Sequence, residues 1–469
     1  MFIDFNNAKK NSVVIDCFLS LLLTLTFFVL PINSNAQVID DSTNDFIYNP
    51  FVENKDFPYP TDRIYLSSVS SIILRPTTFQ GIHFKDYTLH PERSNLSIFA
   101  NKNHVPIAFY GTASKQAPLV FFFPGLGANA STPSSLYMAE LIRKKGYNVI
   151  VMSSTMSWQF AIAASTTGSP GYGPQDAKDM YQLMKLAYRD FLKSYNATPS
   201  KIYLIGQSLG ASDASFAFNE NLIQKNFLIE KLILINPAFN PEQSLLKLDE
   251  LLLYGQNYSE EHKRALQDYS MGLINDLISK KVEDHNIPSL LLSIKLSEKQ
   301  IAWLIGMRFR DSLSDLILAS QSINNLGIIK TPLTMRNIST AKKEASKLSF
   351  KDYYQFIVLK NSTLVDYMNK NSNTIEPITT EEFEKSINDT SDLYTLFTHW
   401  SSNDSLFNSK FQWAIYENQN DFLWNDEIKK LLLENKKQNS HSKIYPMGGH
   451  LGTLWVPEFQ KNLFDFLAL

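Results

Sequence analysis

The chain carries a single cysteine, Cys17, which excludes a disulfide framework and a thiolate metal site. Charge of one sign is also missing. Its 44 Lys and Arg stand against 46 Asp and Glu, a net charge of −2 with no long basic stripe, so a nucleic-acid partner has no electrostatic support. The 8 histidines are scattered, with no H-E-x-x-H and no close His/carboxylate cluster, which argues against a catalytic metal. The apolar run from Cys17 to Leu30 is short for spanning a bilayer. Lys9 and Lys10 precede it, and Pro31 and Ser34-Asn35-Ala36 follow. A basic start, an apolar centre and small residues before a cleavage point make residues 1–36 a secretory signal peptide. The expectation is an exported protein, periplasmic or secreted, beginning at Gln37; an uncleaved membrane anchor is the competing reading. The composition, 44% hydrophobic and 19% charged, is that of a globular chain with ample core.

What the sequence does contain is organised around Lys201-Ile-Tyr-Leu-Ile-Gly-Gln-Ser-Leu-Gly-Ala211. A short β-rich run, Ile202 to Ile205, stops at Gly206-Gln-Ser-Leu-Gly210, and a small-residue helix follows from Ala211. In that strand–turn–helix setting G-x-S-x-G holds its serine in a strained turn and lifts the hydroxyl clear of the sheet. Ser208 is therefore the candidate nucleophile.

Around this turn the chain alternates strands and helices. From Gln37 to about Tyr65 it reads as a polar, extended lead-in, and Leu96–Phe99 and Val105–Tyr110 read as antiparallel edge strands. Leu119–Phe123 is apolar throughout, as expected of a strand buried on both faces, and ends in Pro124-Gly-Leu-Gly127. Then come a helix over Ser134–Lys145, a strand over Tyr147–Met152, a helix capped by Asp176 and running to about Lys193, and a strand over Lys231–Ile235. This rhythm predicts an α/β fold with a mostly parallel sheet flanked by helices. After Asn236-Pro237 it breaks into helical periodicity: Leu245–Leu253, Glu260–Ser279, Glu298–Phe309 and Ser312–Ser320. The sheet pattern resumes with the Phe411–Tyr416 strand, a helix over about Asn425–Asn435, a last strand near Lys443–Tyr445 and a helix from Val456 to Leu469. The domain plan is signal peptide 1–36, first core part 37–239, helical cap insert 240–400 and second core part 401–469.

A serine hydroxyl needs a base to take its proton and a carboxylate to orient that base. The base candidate is His450, in Pro446-Met-Gly-Gly-His-Leu-Gly452 just past the last strand, where three glycines let the backbone present the imidazole. His262 and His285 fall in the insert, His399 precedes the resumed sheet, and His441 lies in a polar run. For the acid, the loop Glu417-Asn-Gln-Asn-Asp-Phe-Leu423 offers two carboxylates. Asp421 is preferred because a helix begins shortly after it. Glu417, closer to the strand end, is the runner-up. Asp404 and Asp426 read as surface or helix-cap residues.

On these residues the chain resembles the α/β-hydrolase family over most of its mature length except the insert. Gly206-Gln-Ser-Leu-Gly210 matches the nucleophile elbow, and the order Ser208, Asp421, His450 is the family's order. The resemblance implies a cap entering after the strand that follows the nucleophile helix. It also implies an oxyanion hole from the backbone N–H groups of Leu126 and Leu209. The family often has His-Gly after its first buried parallel strand; Pro124-Gly125 stands here instead. The leading expectation is an exported serine hydrolase that cleaves a carboxylic ester or lipid and needs no cofactor or metal. A peptidase or amidase with the same triad, and a non-catalytic binding protein of this fold, are the alternatives. Membrane contact is compatible with this reading but not required by it.

Overall fold

The computed structural model describes residues 57–279, 283–354, 393–401, 411–434 and 441–469. The signal-peptide reading, Cys17, most of the lead-in and Asp404 lie outside the described residues. A sheet of eight strands forms the centre: β1 (Ile82–Tyr87), β2 (Val105–Tyr110), β3 (Leu119–Phe123), β4 (Asn148–Val151), β5 (Ile202–Gln207), β6 (Ile229–Ile235), β7 (Gln412–Asn418) and β8 (Lys443–Tyr445). Before β6 the helices are α1 (Ile64–Ile73), α2 (Pro133–Lys144), α3 (Trp158–Ala163), α4 (Gly173–Tyr195) and α5 (Leu209–Gln224). Between β6 and β7 come α6 (Pro241–Leu251), α7 (Glu260–Ser279), α8 (Ile287–Ser293), α9 (Glu298–Asn324), α10 (Ile338–Ala345) and α11 (Leu393–Ser401). Helix α12 (Asp426–Glu434) precedes β8, and α13 (Pro457–Ala468) ends the chain. Among the described residues no helix is long and apolar enough to cross a membrane.

The strands lie in the order β1-β2-β4-β3-β5-β6-β7-β8. β2 runs antiparallel to both β1 and β4, and every other pair is parallel. This is the α/β-hydrolase fold. Its core has two sides because β3 is buried at every position. Val120 and Phe122 face Ile205, Ile233 and Tyr416 on one side, with α1, α2, α13 and the inserted α6 and α9. Phe121 and Phe123 face Leu204, Leu232 and Ile415 on the other, with α4, α5, α11 and α12. Each fully buried phenylalanine contributes roughly 1.5–3 kcal/mol of transfer free energy, and burial on both faces is why the strand reads as an unbroken apolar run.

Several sequence expectations change. Leu96–Phe99 is not a strand; Pro91–Asn95 and Ser97–Phe99 are short 3-10 turns. Arg93 in the first turn donates to the carbonyls of Ala161, Ile162 and Ser165 at 3.1, 3.2 and 2.8 Å. The loop is thus spent on satisfying the C-terminal carbonyls of α3. The edge strand beside β2 is instead Ile82–Tyr87, whose Lys85 pairs with Asp190 at 2.6 Å. The lead-in ends before Tyr65, since α1 begins at Ile64 and both Phe57 and Tyr59 are buried. Helix α4 starts at Gly173 with Pro174 in its first turn, and Asp176 accepts the Gly171 N–H at 2.7 Å from inside that turn.

The insert also differs in detail. Glu298–Phe309 and Ser312–Ser320 are one helix of 27 residues. The polar stretch between them is held by partners from other elements: Arg310 pairs with Asp249 at 2.8 Å and Asp311 with Lys342 at 2.9 Å. Where the chain returns, the Leu393 N–H donates to the Phe239 carbonyl at 3.1 Å. Helix α11 then places Phe397 and Trp400 against Trp413 and Phe218 on the α5 side of the sheet.

Candidate active site

Ser208 sits between β5 and α5 with φ 54° and ψ −127°, a conformation that costs a non-glycine residue about 1–3 kcal/mol. The surroundings hold it there. Its N–H donates to the Ile235 carbonyl at 2.9 Å, and its own carbonyl accepts from Ala238 at 3.2 Å. The flanking glycines allow the close approach: a methyl group at Gly206 would lie 2.2 Å from the Gly210 carbonyl oxygen, and one at Gly210 would lie 2.2 Å from the Phe123 carbonyl oxygen. The hydroxyl is consequently presented at the carboxyl edge of the parallel strands, where such folds bind ligands.

The loop after β8 brings His450 to this hydroxyl. His450 Nε2 and Ser208 Oγ are 2.8 Å apart, and His450 Nδ1 and Asp421 Oδ2 are also 2.8 Å apart. All three residues are buried. The turn that aims the imidazole is pinned from two directions. Gly449, at φ 56°, donates to Asn420 Oδ1 at 2.8 Å and accepts from Asn418 Nδ2 at 2.7 Å. The His450 N–H donates to Ser68 Oγ of α1 at 2.8 Å. Phe422 leans on the imidazole with ring centres 5.4 Å apart. Three of the other downstream histidines are engaged elsewhere: His262 packs on Tyr258, His285 lies 3.5 Å from Glu283, and His441 stacks on Phe466.

Of the two carboxylates left open by the sequence, Asp421 meets His450. Its Oδ1 accepts the Leu423 N–H at 2.8 Å, and its Oδ2 accepts Asn236 Nδ2 at 2.8 Å as well as the imidazole. Burial works to raise the Asp421 carboxyl, but the His450 charge and hydrogen bond, with the Leu423 and Asn236 donors, hold it below the ordinary range. Glu417 lies directly behind, accepting from Asn236 Nδ2 at 2.5 Å and from the Asn418 N–H at 2.8 Å. Burial, and then the charge of Asp421, push its carboxyl well above the ordinary range. Asp426, read as a surface or cap residue, opens α12 and accepts from Trp424 Nε1 at 2.9 Å.

Gly125, in the turn after β3, backs onto the serine, where a methyl group would lie 3.1 Å from Ser208 Cβ and 3.5 Å from its Oγ. That turn closes with the Ala128 N–H on the Gly125 carbonyl at 3.1 Å. The N–H groups of Leu126 and Leu209 have no hydrogen-bond acceptor among the described residues, and both side chains are half-buried. Helix α9 reaches the same turn, since a methyl group at Gly127 would lie 3.2 Å from Ser312. Among the described residues no group of three His, Cys, Asp or Glu is arranged to hold a metal ion.

Four residues of the site were not found from the sequence: Ser68, Asn236, Asn418 and Asn420. Asn236 carried a usable signal, an Asn-Pro step at the carboxyl end of a buried strand, but it reads first as the opening of the insert. Asn418 and Asn420 sit inside the stretch searched for the acid, where asparagine reads as turn chemistry.

No family model and no curated protein matches the chain. Solved structures similar to it include esterase B from Lactobacillus rhamnosis HN001, at 10% identity and TM-score 0.39, covering 86% of this chain and 88% of that one. A hyperthermophilic esterase from the archaeon Pyrobaculum calidifontis is similar at 12% identity and TM-score 0.37, covering 87% and 90%. EstE1, a thermostable carboxylesterase from a metagenomic library, is similar at 12% identity and TM-score 0.38, covering 87% and 95%. The fold rests on the strand order and the pairing directions described above, which these likenesses accompany.

Proposed function

We propose that the chain is a serine hydrolase that cleaves a carboxylic ester, with Ser208 as nucleophile, His450 as general base and acid, and Asp421 as the carboxylate that orients the imidazole. The observation that carries this reading is the unbroken chain of two 2.8 Å hydrogen bonds, Ser208 to His450 and His450 to Asp421, ending on a serine in a strained elbow. Ser208 Oγ attacks the acyl carbonyl as its proton passes to His450 Nε2. The Leu126 and Leu209 N–H groups receive the developing oxyanion, a contribution of about 3–4 kcal/mol per donor where one has been removed in comparable sites. His450 then protonates the departing alcohol, and water deacylates the serine with His450 again as base. Asp421 stays ionised throughout, in keeping with its lowered carboxyl.

The helices between β6 and β7 act in this reading as a cap that shapes the acyl and leaving-group pockets, and Ser312 against Gly127 is the contact that supports it. Their apolar faces favour a hydrophobic acyl chain. Residues 1–36 direct the protein to export and are removed near Ala36, on the strength of their n-region, apolar run and small-residue cleavage point.

The test is labelling of the purified protein with a fluorophosphonate, beside Ser208→Ala and His450→Ala. Stoichiometric labelling of the wild type that disappears in both variants is the expected result. A folded wild type that neither labels nor hydrolyses p-nitrophenyl acetate would reduce the protein to a binding scaffold. Matched ester and amide substrates, and an ester chain-length series, then test the bond cleaved and the hydrophobic acyl preference.

A further inference from the structure

Two carboxyl groups lie behind His450, and the triad uses one. Asp421 and Glu417 are 6% and 2% exposed, so neither is solvated by bulk water. They share one amide: Asn236 Nδ2 donates to Asp421 Oδ2 at 2.8 Å and to Glu417 Oε1 at 2.5 Å. Asn418 Nδ2 donates to the side-chain oxygen Oδ1 of Asn236 at 3.4 Å, which turns the amide's NH2 group toward the acids. Asp421 is supplied as a carboxylate should be, with Leu423, Asn236 and His450 donating to it. Glu417 is supplied differently. One oxygen accepts from Asn236 and Asn418, while the other receives no N–H or O–H among the described residues, and the shared Asn236 Nδ2 sets the carboxyl beside that of Asp421.

We infer that Glu417 is a neutral carboxylic acid that donates its proton to Asp421, and that it is the positioning residue fixing the one charged carboxylate against His450. Two buried carboxyl groups set side by side on one amide nitrogen do not both ionise. The titratable groups that reach the pair are the two acids, on β7 and the loop after it, and His450 after β8. The element on the other side, β6, brings only the neutral Asn236. Among the described residues no lysine or arginine forms an ion pair with either acid. The single imidazole contacts Asp421, so the negative charge stays there and the proton stays on Glu417. Burial together with the Asp421 charge acts on Glu417 in the same direction. Donation from Glu417 gives Asp421 a fourth hydrogen bond and leaves it no freedom to turn from His450. This role rests on the serine-hydrolase reading, whereas the protonation of Glu417 does not.

The test has a spectroscopic arm and a kinetic arm. Wild-type protein carrying 13C only in glutamate side-chain carboxyls should show one carboxyl that remains protonated at neutral pH. That signal should vanish in Glu417→Gln, together with a carboxylic-acid C=O band in the infrared difference spectrum. In kinetics, Glu417→Ala should lower kcat/KM roughly ten- to a hundredfold, the scale on which supporting partners act at metal sites. Glu417→Gln, which keeps a neutral donor, should recover most of that loss with the acidic limb of the pH profile in its wild-type place. If Glu417 were instead ionised, its removal would move that limb to lower pH and no protonated glutamate would be seen; either observation overturns the inference. Should a variant not fold, the wild-type carboxyl spectrum alone decides. Failure of fluorophosphonate labelling, with a protonated glutamate still present, would sink the functional reading and leave the acid pair standing.

Discussion

The main-chain N–H of His450 donates to the hydroxyl of Ser68, 382 positions earlier in the chain, at 2.8 Å. The same hydroxyl donates to the Ile64 carbonyl one turn back in α1. Glu298 in the first turn of α9 accepts the Tyr65 and Leu66 N–H groups at 2.8 and 3.2 Å, so the N-terminus of α1 is capped by the insert. Helix α1 therefore links the inserted helices to the imidazole.

Replacing Ser68 by alanine leaves a buried N–H on His450 without its acceptor. The expected cost is about 1–3 kcal/mol in stability, with a fall in kcat rather than a rise in KM because Ser68 acts through the backbone of His450. Ester kinetics and denaturant unfolding on one preparation check both. An unchanged kcat would show that the Asn418 and Asn420 contacts alone hold the turn.

Gly206→Ala and Gly210→Ala should each destabilise the protein at the upper end of the overpacking range, about 3 kcal/mol or more. The added methyl would meet backbone oxygens at 2.2 Å in either case, and backbone cannot swing aside as a side-chain tip can. Thermal unfolding measures the loss, and a shift below about 1 kcal/mol would contradict the packing of β5 against α5.

Ser208→Gly should abolish labelling yet stabilise the fold. Relief of about 1–3 kcal/mol of backbone strain outweighs the roughly 0.5–1 kcal/mol that glycine loses through greater freedom in the unfolded chain. The expected net gain is about 1 kcal/mol. Ser208→Ala keeps the strained φ of 54° and serves as the comparison; equal stability of the two variants would mean that the elbow stores little strain.

Asp213 on α5 is buried with Thr155 Oγ1 donating to it at 2.8 Å, and burial pushes its carboxyl up to about 7 despite that hydrogen bond. The unfolded chain releases this proton near pH ~4. Between that point and about 7 the folded state holds the proton and the unfolded state does not, so stability falls as pH rises. The total loss is about 4 kcal/mol at about 1.4 kcal/mol per pH unit. Asp213→Asn does not titrate, so it should match the wild type in acid and exceed it increasingly toward neutrality. Unfolding midpoints of both proteins across that range provide the check.

How much of this was legible depends on the range of the interactions. The elbow is local: five residues carry its strain, its close approach and its hydroxyl, so Ser208 is visible in the sequence. His450 is visible for a similar reason, since the glycines that bend its turn are its neighbours. The acid is less so. Glu417 is the penultimate residue of β7 and Asp421 lies in the turn just after it, four positions on, and only the direction of each side chain separates the one that meets the imidazole from the one behind it. The polar break at residues 310–311 reads as a helix end because the partners that satisfy it, Asp249 and Lys342, lie on α6 and α10. Strand β1 escapes detection because its His83, Lys85 and Asp86 suit an edge that borders solvent rather than a buried run. Helix α1 has no side-chain cap of its own to announce it; its cap is Glu298.

By itself the sequence determined the local chemistry of this protein: apolar strands that must be covered on both faces, a serine that must sit in a strained turn, and a glycine-flanked histidine at a strand end. Those follow from steric and solvation rules acting over a few residues. Tertiary structure alone decided which carboxyl faces His450, that Asn236 spans both acids, and that Ser68 holds the histidine's backbone. Each of those choices joins residues 29 to 382 positions apart, and a buried polar group takes its partner from whatever the packing brings within about 3 Å.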